Sequence, residues 1–315
     1  MMLFITMTVL LVIFPPNIEF FKKSSEYAGH LMIGLLALSF LLLMMKQTRL
    51  MVISMVASAL LAFFLKMASN TDFILPAQNT SVKIKVAHFN LTSFNSYNLD
   101  LANLLGDIDP DVLSFQEYTP DWDNYLPGML FKSFPFIHKS VRIDPYGMAI
   151  FSKIPIEKVE TFSYGNIPNI NISLDDNYNN INIISSYISP SNLNNKYVSS
   201  QEHFLTISNY IDMLQDPVIT IGDFNHVYWS KEIIEFREKT ELKNSRRNNP
   251  VSSLRVPYDH IFYSKGLECI QFADIKDDQE NHLGITGTYQ LKSPLTTKTH
   301  HSKIGMIFFP FLQIE

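Results

Sequence analysis

The chain has 315 residues, 46% of them hydrophobic and 17% charged, with a net charge of −5. That length suits one sizeable domain with a smaller appendage, and the acidic balance excludes a general basic footprint for non-specific nucleic-acid binding. A single cysteine, Cys269, excludes an intrachain disulfide and any multi-cysteine zinc site.

The apolar residues are concentrated at the amino terminus. Met1 to Phe14 is an apolar run stopped by Pro15-Pro16, without the basic start or small-residue cleavage site of a signal peptide. Tyr27 to Met45 is nineteen residues without a formal charge, enough helix to cross about 30 Å of hydrocarbon. Leu50 to Leu65 is a second such run, and Lys66 follows where it can snorkel to an interface. Residues 1–70 therefore read as a transmembrane region of two or three helices; a buried helical hairpin is the competing reading. Lys22 and Lys23 in the first loop balance Lys46 and Arg49 in the second. The shorter, more densely basic second loop is assigned to the cytoplasm, which places the carboxyl-terminal domain outside, on a bacterial-type inner membrane.

After a polar linker at 71–81 the texture changes. Val82 to Val86 alternates and runs into His88-Phe-Asn90; Leu99 to Leu105 has helical spacing; Pro110 to Glu117 is a short strand ending in an acid. Gly147 to Ser152 and Ile181 to Tyr187 are further strands, and Val198 to Leu214 is an amphipathic helix. Val218 to Ile221 drives into Gly222-Asp-Phe-Asn225; Asp259 to Tyr263 and Ile285 to Leu291 are the last strands. Many strands with few helices between them predict an α/β sandwich of two sheets. The tail at 292–315 ends in an apolar stretch suited to an edge strand or a membrane contact.

Polar groups stand at the ends of five of these strands: Asn90, Glu117, Tyr187, the pair Asp223 and Asn225, and Asp259, with Asn281-His282 after them. Phosphate-ester hydrolysis needs this kind of set. Glu117 and Asn90 are oxygen ligands for a hard divalent cation. Asp223 can hold a water in line, and His282, Asn225 and Tyr187 can donate to phosphoryl oxygens. Asp259 is the natural partner to orient His282. His260, next along the strand, should face the other way and be structural.

In that order the motifs resemble the endonuclease/exonuclease/phosphatase superfamily of Mg²⁺-dependent phosphoesterases. Phe89-Asn90, Asp111-Val-Leu-Ser-Phe-Gln-Glu117, Tyr146-Gly-Met-Ala-Ile-Phe-Ser-Lys-Ile-Pro155, Gly222-Asp-Phe-Asn225 and Asp259-His-Ile-Phe262 carry the resemblance, which covers 82–291. It implies a four-layer α/β sandwich with two packed, mostly antiparallel sheets behind the membrane helices, Mg²⁺ or Mn²⁺ as cofactor, and a phosphoester substrate. Two positions depart from the pattern. Ser186-Tyr187 stands where many members have Thr-His. Asn281 replaces an aspartate of the family's metal environment, keeping an oxygen ligand without its charge. A rival alignment uses Thr299-His300-His301, but the 23 residues from Asp259 to His282 suit one crossing between strands better than 42.

The leading expectation is a membrane-anchored phosphodiesterase or phosphatase acting on a lipid headgroup or other small phosphoester. An extracytoplasmic nuclease would need a basic groove around Lys132, Lys139, Arg142 and Lys153. A catalytically weakened phosphate-binding module is the alternative that Asn281 suggests.

Overall fold

In a computed structural model of the chain, residues 1–72, 74–94, 99–190, 199–247 and 256–292 are described. Four helices come first: α1 (Met2–Ile13), α2 (Glu19–Ser25), α3 (Ala28–Met44) and α4 (Thr48–Ala68). Pro15 and Pro16 end α1 because proline cannot continue the backbone ladder. α3 and α4 form a hairpin whose seam is built from small residues. Ser54 Oγ donates to the Leu35 carbonyl at 2.7 Å and Ser58 Oγ to the Met32 carbonyl at 2.8 Å. The other faces stay apolar and exposed, as at Phe40, Leu41, Met55 and Phe63. Such all-round apolarity suits a lipid environment or burial against a partner. Among the described residues, α4 is the one helix long and apolar enough to span a bilayer alone. α2 and α3 together make a second candidate, bent by 62°. At 12 residues, α1 reaches only about 18 Å and is too short to be a third full span.

The rest is a sandwich. In chain order the elements are β1 (Lys83–Asn90), α5 (Leu99–Ile108), β2 (Val112–Gln116), α6 (Pro120–Leu130), β3 (Phe136–Ser140) and β4 (Met148–Ser152). β5 (Ile156–Tyr164), β6 (Ile167–Leu174), β7 (Asn182–Ser186), α7 (Ser200–Asp212), β8 (Val218–Asp223) and α8 (Lys231–Thr240) follow. β9 (Lys243–Asn244), β10 (Asp259–Tyr263), β11 (Leu267–Lys276) and β12 (His282–Leu291) complete it. One six-stranded sheet has the order β11-β12-β1-β2-β4-β3 and the other β5-β6-β7-β8-β10-β9. Each contains one central parallel pair, β1 with β2 and β7 with β8; the other pairings are antiparallel. A parallel pair needs a crossover, and α5 and α7 supply the two.

Alternation along each strand separates the faces. Ile84, Val86, Val112 and Ile150 of the first sheet meet Ile172, Ile183, Ile219, Ile221 and Ile261 of the second between the layers. Phe89, Leu113 and Phe115 point outward onto α5 and α6. Val218 and Phe262 point outward onto α7 and α8. This is the expected four-layer sandwich with two mostly antiparallel sheets.

The amino-terminal helices share that last cluster: Ile5, Val9, Ala28, Leu35 and Leu61 belong with Phe224, Trp229, Ile233 and Phe236. The expected linker is tied at both ends. Asn70 Nδ2 donates to the Asn244 carbonyl at 2.7 Å and to the Tyr263 hydroxyl at 3.0 Å, and Asn79 Nδ2 donates to the Leu291 carbonyl at 2.8 Å. The rival histidine motif at 299–301 and the apolar tail lie outside the described residues.

Candidate active site

The alternation that builds the inner core also carries polar groups to one end of it. On β1 the positions 84, 86, 88 and 90 share the inner face; on β8 it is 219, 221 and 223, and on β10 259, 261 and 263. Asn90, Gln116, Tyr187 and Asp223 thus stand at or just past the carboxyl ends of β1, β2, β7 and β8. Asp259 pairs in register with Asp223 at the start of β10. Crevices beyond strand carboxyl ends are where open α/β sheets bind ligands.

Asn90 Nδ2 donates to Glu117 Oε1 at 2.9 Å, joining the first two expected ligands. The side chain of Asn90 is held from behind: its Oδ1 accepts from Thr92 N at 3.1 Å and Thr92 Oγ1 at 2.7 Å. Glu117 has φ of +58°, a conformation rare outside glycine, which turns it out of the strand alternation. Beside it, a side chain on Gly147 would stand 2.2 Å from the Tyr118 carbonyl oxygen, so only glycine fits.

On the second sheet Asn225, with φ of +49°, folds back so that its N–H donates to Asp223 Oδ1 at 2.9 Å. Its Nδ2 donates to the Ile188 carbonyl at 2.9 Å, and its side chain also hydrogen-bonds Tyr187. Burial first, then the Asp223 and Glu117 carboxylates, hold the Tyr187 phenol well above its ordinary range. It therefore keeps its proton at neutral pH and remains a donor.

His282 opens β12, and its Nε2 bonds Asp259 Oδ2, the expected pairing. Its Nδ1 is 3.8 Å from Asp274 Oδ1. Asp274 in turn receives both arms of Arg246, at 2.7 and 2.6 Å, and that guanidinium lies 4.9 Å from the Phe272 ring. His88 is fully buried in the floor of the site against Ser114, whose hydroxyl lies 2.9 Å from that of Ser185 across the sheets. Burial pulls the His88 pKa down to about 4, opposed by the Asp259 charge. His260 faces outward as alternation requires, with Nε2 2.7 Å from the His226 carbonyl.

Asn281 is held elsewhere. It is exposed on the β11–β12 turn, where its N–H and Nδ2 donate to the two Asp277 oxygens at 2.7 and 2.9 Å. The structure ties it to that turn, and not to Glu117, because Asp277 satisfies it locally. Among the described residues, no three His, Cys, Asp or Glu side chains gather as a ligand cluster. The Glu117 carboxylate is still a hard oxygen donor, and Asn90 beside it, whose Nδ2 faces Glu117 and whose Oδ1 is turned to Thr92, adds a second oxygen once its amide turns over. The pair fits an ion such as Mg²⁺, which commonly takes one or two carboxylates and keeps its waters.

Sequence reasoning missed Gln116 as a structural bridge. Its Oε1 accepts from Asp223 N at 2.8 Å while its Nε2 donates to the Ser186 carbonyl, so one side chain of the first sheet orders two strands of the second. Gly222 makes this approach feasible: a Cβ there would lie 2.0 Å from the Ser186 oxygen and 2.6 Å from Gln116 Nε2. Arg246 and Asp274 were missed as well, since no local pattern marks a long-range ion pair.

Comparison with known proteins agrees with this arrangement. The Endonuclease/Exonuclease/phosphatase family matches residues 87–277. No curated protein matches the chain in sequence. A D. rerio TDP2 humanized by 14 mutations superposes with a TM-score of 0.51 at 16% identity, covering 66% of this chain and 99% of that one. The human Nocturnin catalytic domain with bound sulfate gives 0.52 at 14%, covering 68% and 97%. An endonuclease/exonuclease/phosphatase family protein from Bacteroides thetaiotaomicron gives 0.55 at 17%, covering 68% and 100%. These likenesses speak for the fold alone. Members of the superfamily hydrolyse phosphoesters and generally use divalent metals. With the family match spanning more than half of its length, and its strand ends arranged as described, this chain belongs to the Endonuclease/Exonuclease/phosphatase family.

Proposed function

We propose that the chain is a membrane-anchored, Mg²⁺-dependent phosphoesterase that hydrolyses a small or lipid-type phosphoester by in-line attack of water. Residues 1–70 would form the anchor and 82–291 the catalytic domain, facing out of the cytoplasm. The observation that carries this reading is the convergence of three polar pairs at one end of both sheets: Asn90 with Glu117, Asp223 with Asn225, and Asp259 with His282.

Glu117 and Asn90 would hold the metal, which supplies positive charge to the phosphoryl oxygens when bound. Asp223, its Oδ1 fixed by the Asn225 N–H, orients the attacking water and accepts its proton. Tyr187 donates its hydroxyl proton to a phosphoryl oxygen, while Asn225 keeps the phenol in place. His282, oriented by Asp259, stabilises the charge that builds on the phosphoryl group.

The surface favours a small or lipid-borne substrate over duplex nucleic acid. Of the four cations a basic groove would need, Lys139 is paired with Asp123 at 2.6 Å, Arg142 with Asp144, and Lys153 with Asp109. Those cations are already neutralised. The apolar helices also pack on the loop that follows Asn225, so a bilayer that took up those helices would lie near the site.

The test is turnover by the full chain in nanodiscs on an aryl phosphodiester, a sphingolipid, inositol phosphates and abasic-site DNA, with Mg²⁺ or EDTA. Metal-dependent hydrolysis that disappears in Glu117→Ala and Asp223→Asn is expected, with preference for the non-nucleic substrates. A folded protein that turns over none of them would overturn the reading. So would strongest turnover of DNA with steep salt dependence, which would make it a nuclease.

A further inference from the structure

The elbow between α2 and α3 reaches both strands that carry the site. Trp229, four residues after Asn225 and only 4% exposed, donates its indole N–H to the Ser25 carbonyl at 2.8 Å. The Tyr258 hydroxyl donates to Glu26 Oε2 at 2.7 Å. Tyr258 immediately precedes Asp259, and its own carbonyl accepts from Phe224 N–H at 3.0 Å. Phe224 in turn lies between Asp223 and Asn225. One side chain on the elbow is thus linked, through one tyrosine, to the start of β10 and the end of β8. Phe224 is fully buried in the cluster that includes Ala28, Leu35 and Leu61, so the same junction is held by apolar packing. Burial, and then the Glu26 carboxylate, push the Tyr258 phenol well above its ordinary range, so it holds its proton and remains the donor.

We propose that Glu26 is a positioning residue for hydrolysis: through Tyr258 it sets the relative placement of Asp223 and Asp259, and the site is complete only with the α2–α3 elbow docked. The inference rests on the reading above, in which these two aspartates serve the reaction. Asp223 and Asp259 face each other across one antiparallel rung, and both leave the ladder within one residue of the Tyr258–Phe224 bond. A carboxylate suits the task because it accepts a strong, short hydrogen bond from a half-buried phenol. Lys22, which meets Glu232 on α8 at 2.8 Å, fastens the same elbow through α8 and serves as the control.

The experiment uses the full chain in nanodiscs with a water-soluble aryl phosphodiester, so presentation of substrate by the membrane plays no part. Displacements of about 1 Å cost on the order of a hundredfold in rate, so Glu26→Ala and Tyr258→Phe should lower kcat about tenfold or more with KM within about twofold. Glu26→Gln, whose amide oxygen still accepts, should recover most of the rate. Hydrogen exchange at residues 222–230 and 258–263 should quicken in Glu26→Ala and stay as in wild type in Lys22→Met. Tyr258→Phe keeps the phenyl ring and loses only the hydroxyl bond to Glu26, and gives the same exchange readout if Glu26→Ala does not fold. The proposal is overturned if Glu26→Ala retains wild-type kcat while Asp223→Asn and Asp259→Asn lose theirs. It is equally overturned if Lys22→Met lowers kcat as much, since that is a general effect of docking. Should both aspartate variants keep full activity, the reading of the site fails, and unchanged exchange in Glu26→Ala would then sink the coupling by itself.

Discussion

Replacing Gln116 by methionine tests how the two sheets are joined beneath the site. Methionine has similar length and flexibility but no polar atom able to take the place of either amide group. Gln116 is fully buried; it accepts from the Asp223 N–H and donates to the Ser186 carbonyl. The substitution leaves the first group without its acceptor and the second without this donor. A buried polar group deprived of its partner costs about 1–3 kcal/mol, so the pair together should cost roughly 2–6 kcal/mol. For a domain of this size each kcal/mol lowers Tm by about 2–4 °C, which puts the expected drop on the order of 5–20 °C. Turnover should fall with it, because the same bond holds the backbone of Asp223. Gln116→Glu should do no better: it retains the acceptor, loses the donor and adds charge beside Asp223. Thermal unfolding of the detergent-solubilised full chain reads the effect. If the Gln116→Met variant melts within about 2 °C of wild type, the reasoning is refuted, since the bridge would then contribute less than about 1 kcal/mol.

Gly222→Ala should fail to give folded protein or lose at least about 3 kcal/mol, because its Cβ would overlap the Ser186 carbonyl and strands β7 and β8 cannot part without breaking the sheet; soluble protein with wild-type urea unfolding would contradict this. Burial lowers the pKa of His203 from 6.5 to about 4, and that of His260 to about 3. The unfolded chain therefore binds protons that the folded chain refuses. The stability held by neutral His203 is complete above about pH 6.5 and falls at about 1.4 kcal/mol per pH unit as pH drops toward 4. Urea titrations at pH 7, 6 and 5 should show a shallower fall in His203→Gln, and an unchanged slope would show that His203 is not a source of it. Arg246→Ala removes the bidentate partner of Asp274 behind His282 and should cost about 3–5 kcal/mol, with Arg246→Lys recovering only part because it lacks the planar fork. Equal stability of the lysine and arginine forms, by the same titrations, would count against that geometry.

Much of the site was readable in one dimension. Strand alternation is a local property of the pleat, so Asp259 and His260 could be assigned to opposite faces from their adjacency. The spacing of Asp259 and His282 anticipated their pairing. The apolar run that became α4 was legible because length and hydropathy need no partner. Elements with weak local patterns were not. β5 is an edge strand with Glu157, Lys158 and Val159 exposed in a row, which conceals its period, and α6 carries Pro127 inside the helix. Asn281 could be matched to a motif, but only the turn around Asp277 decided where its side chain goes.

Sequence by itself determined which residues could serve phosphate chemistry, the opposite facing of Asp259 and His260, and the apolar character of the first seventy residues. Tertiary structure decided which of them meet. The Gln116 bridge joins residues 107 positions apart, and the Tyr258 to Glu26 bond spans 232. Contacts at such separations leave no periodic trace, because each partner's local conformation is the same whether or not the other is present. They form only when two sheets and a helical elbow pack together, and here that packing puts an amino-terminal carboxylate behind the strands that carry Asp223 and Asp259.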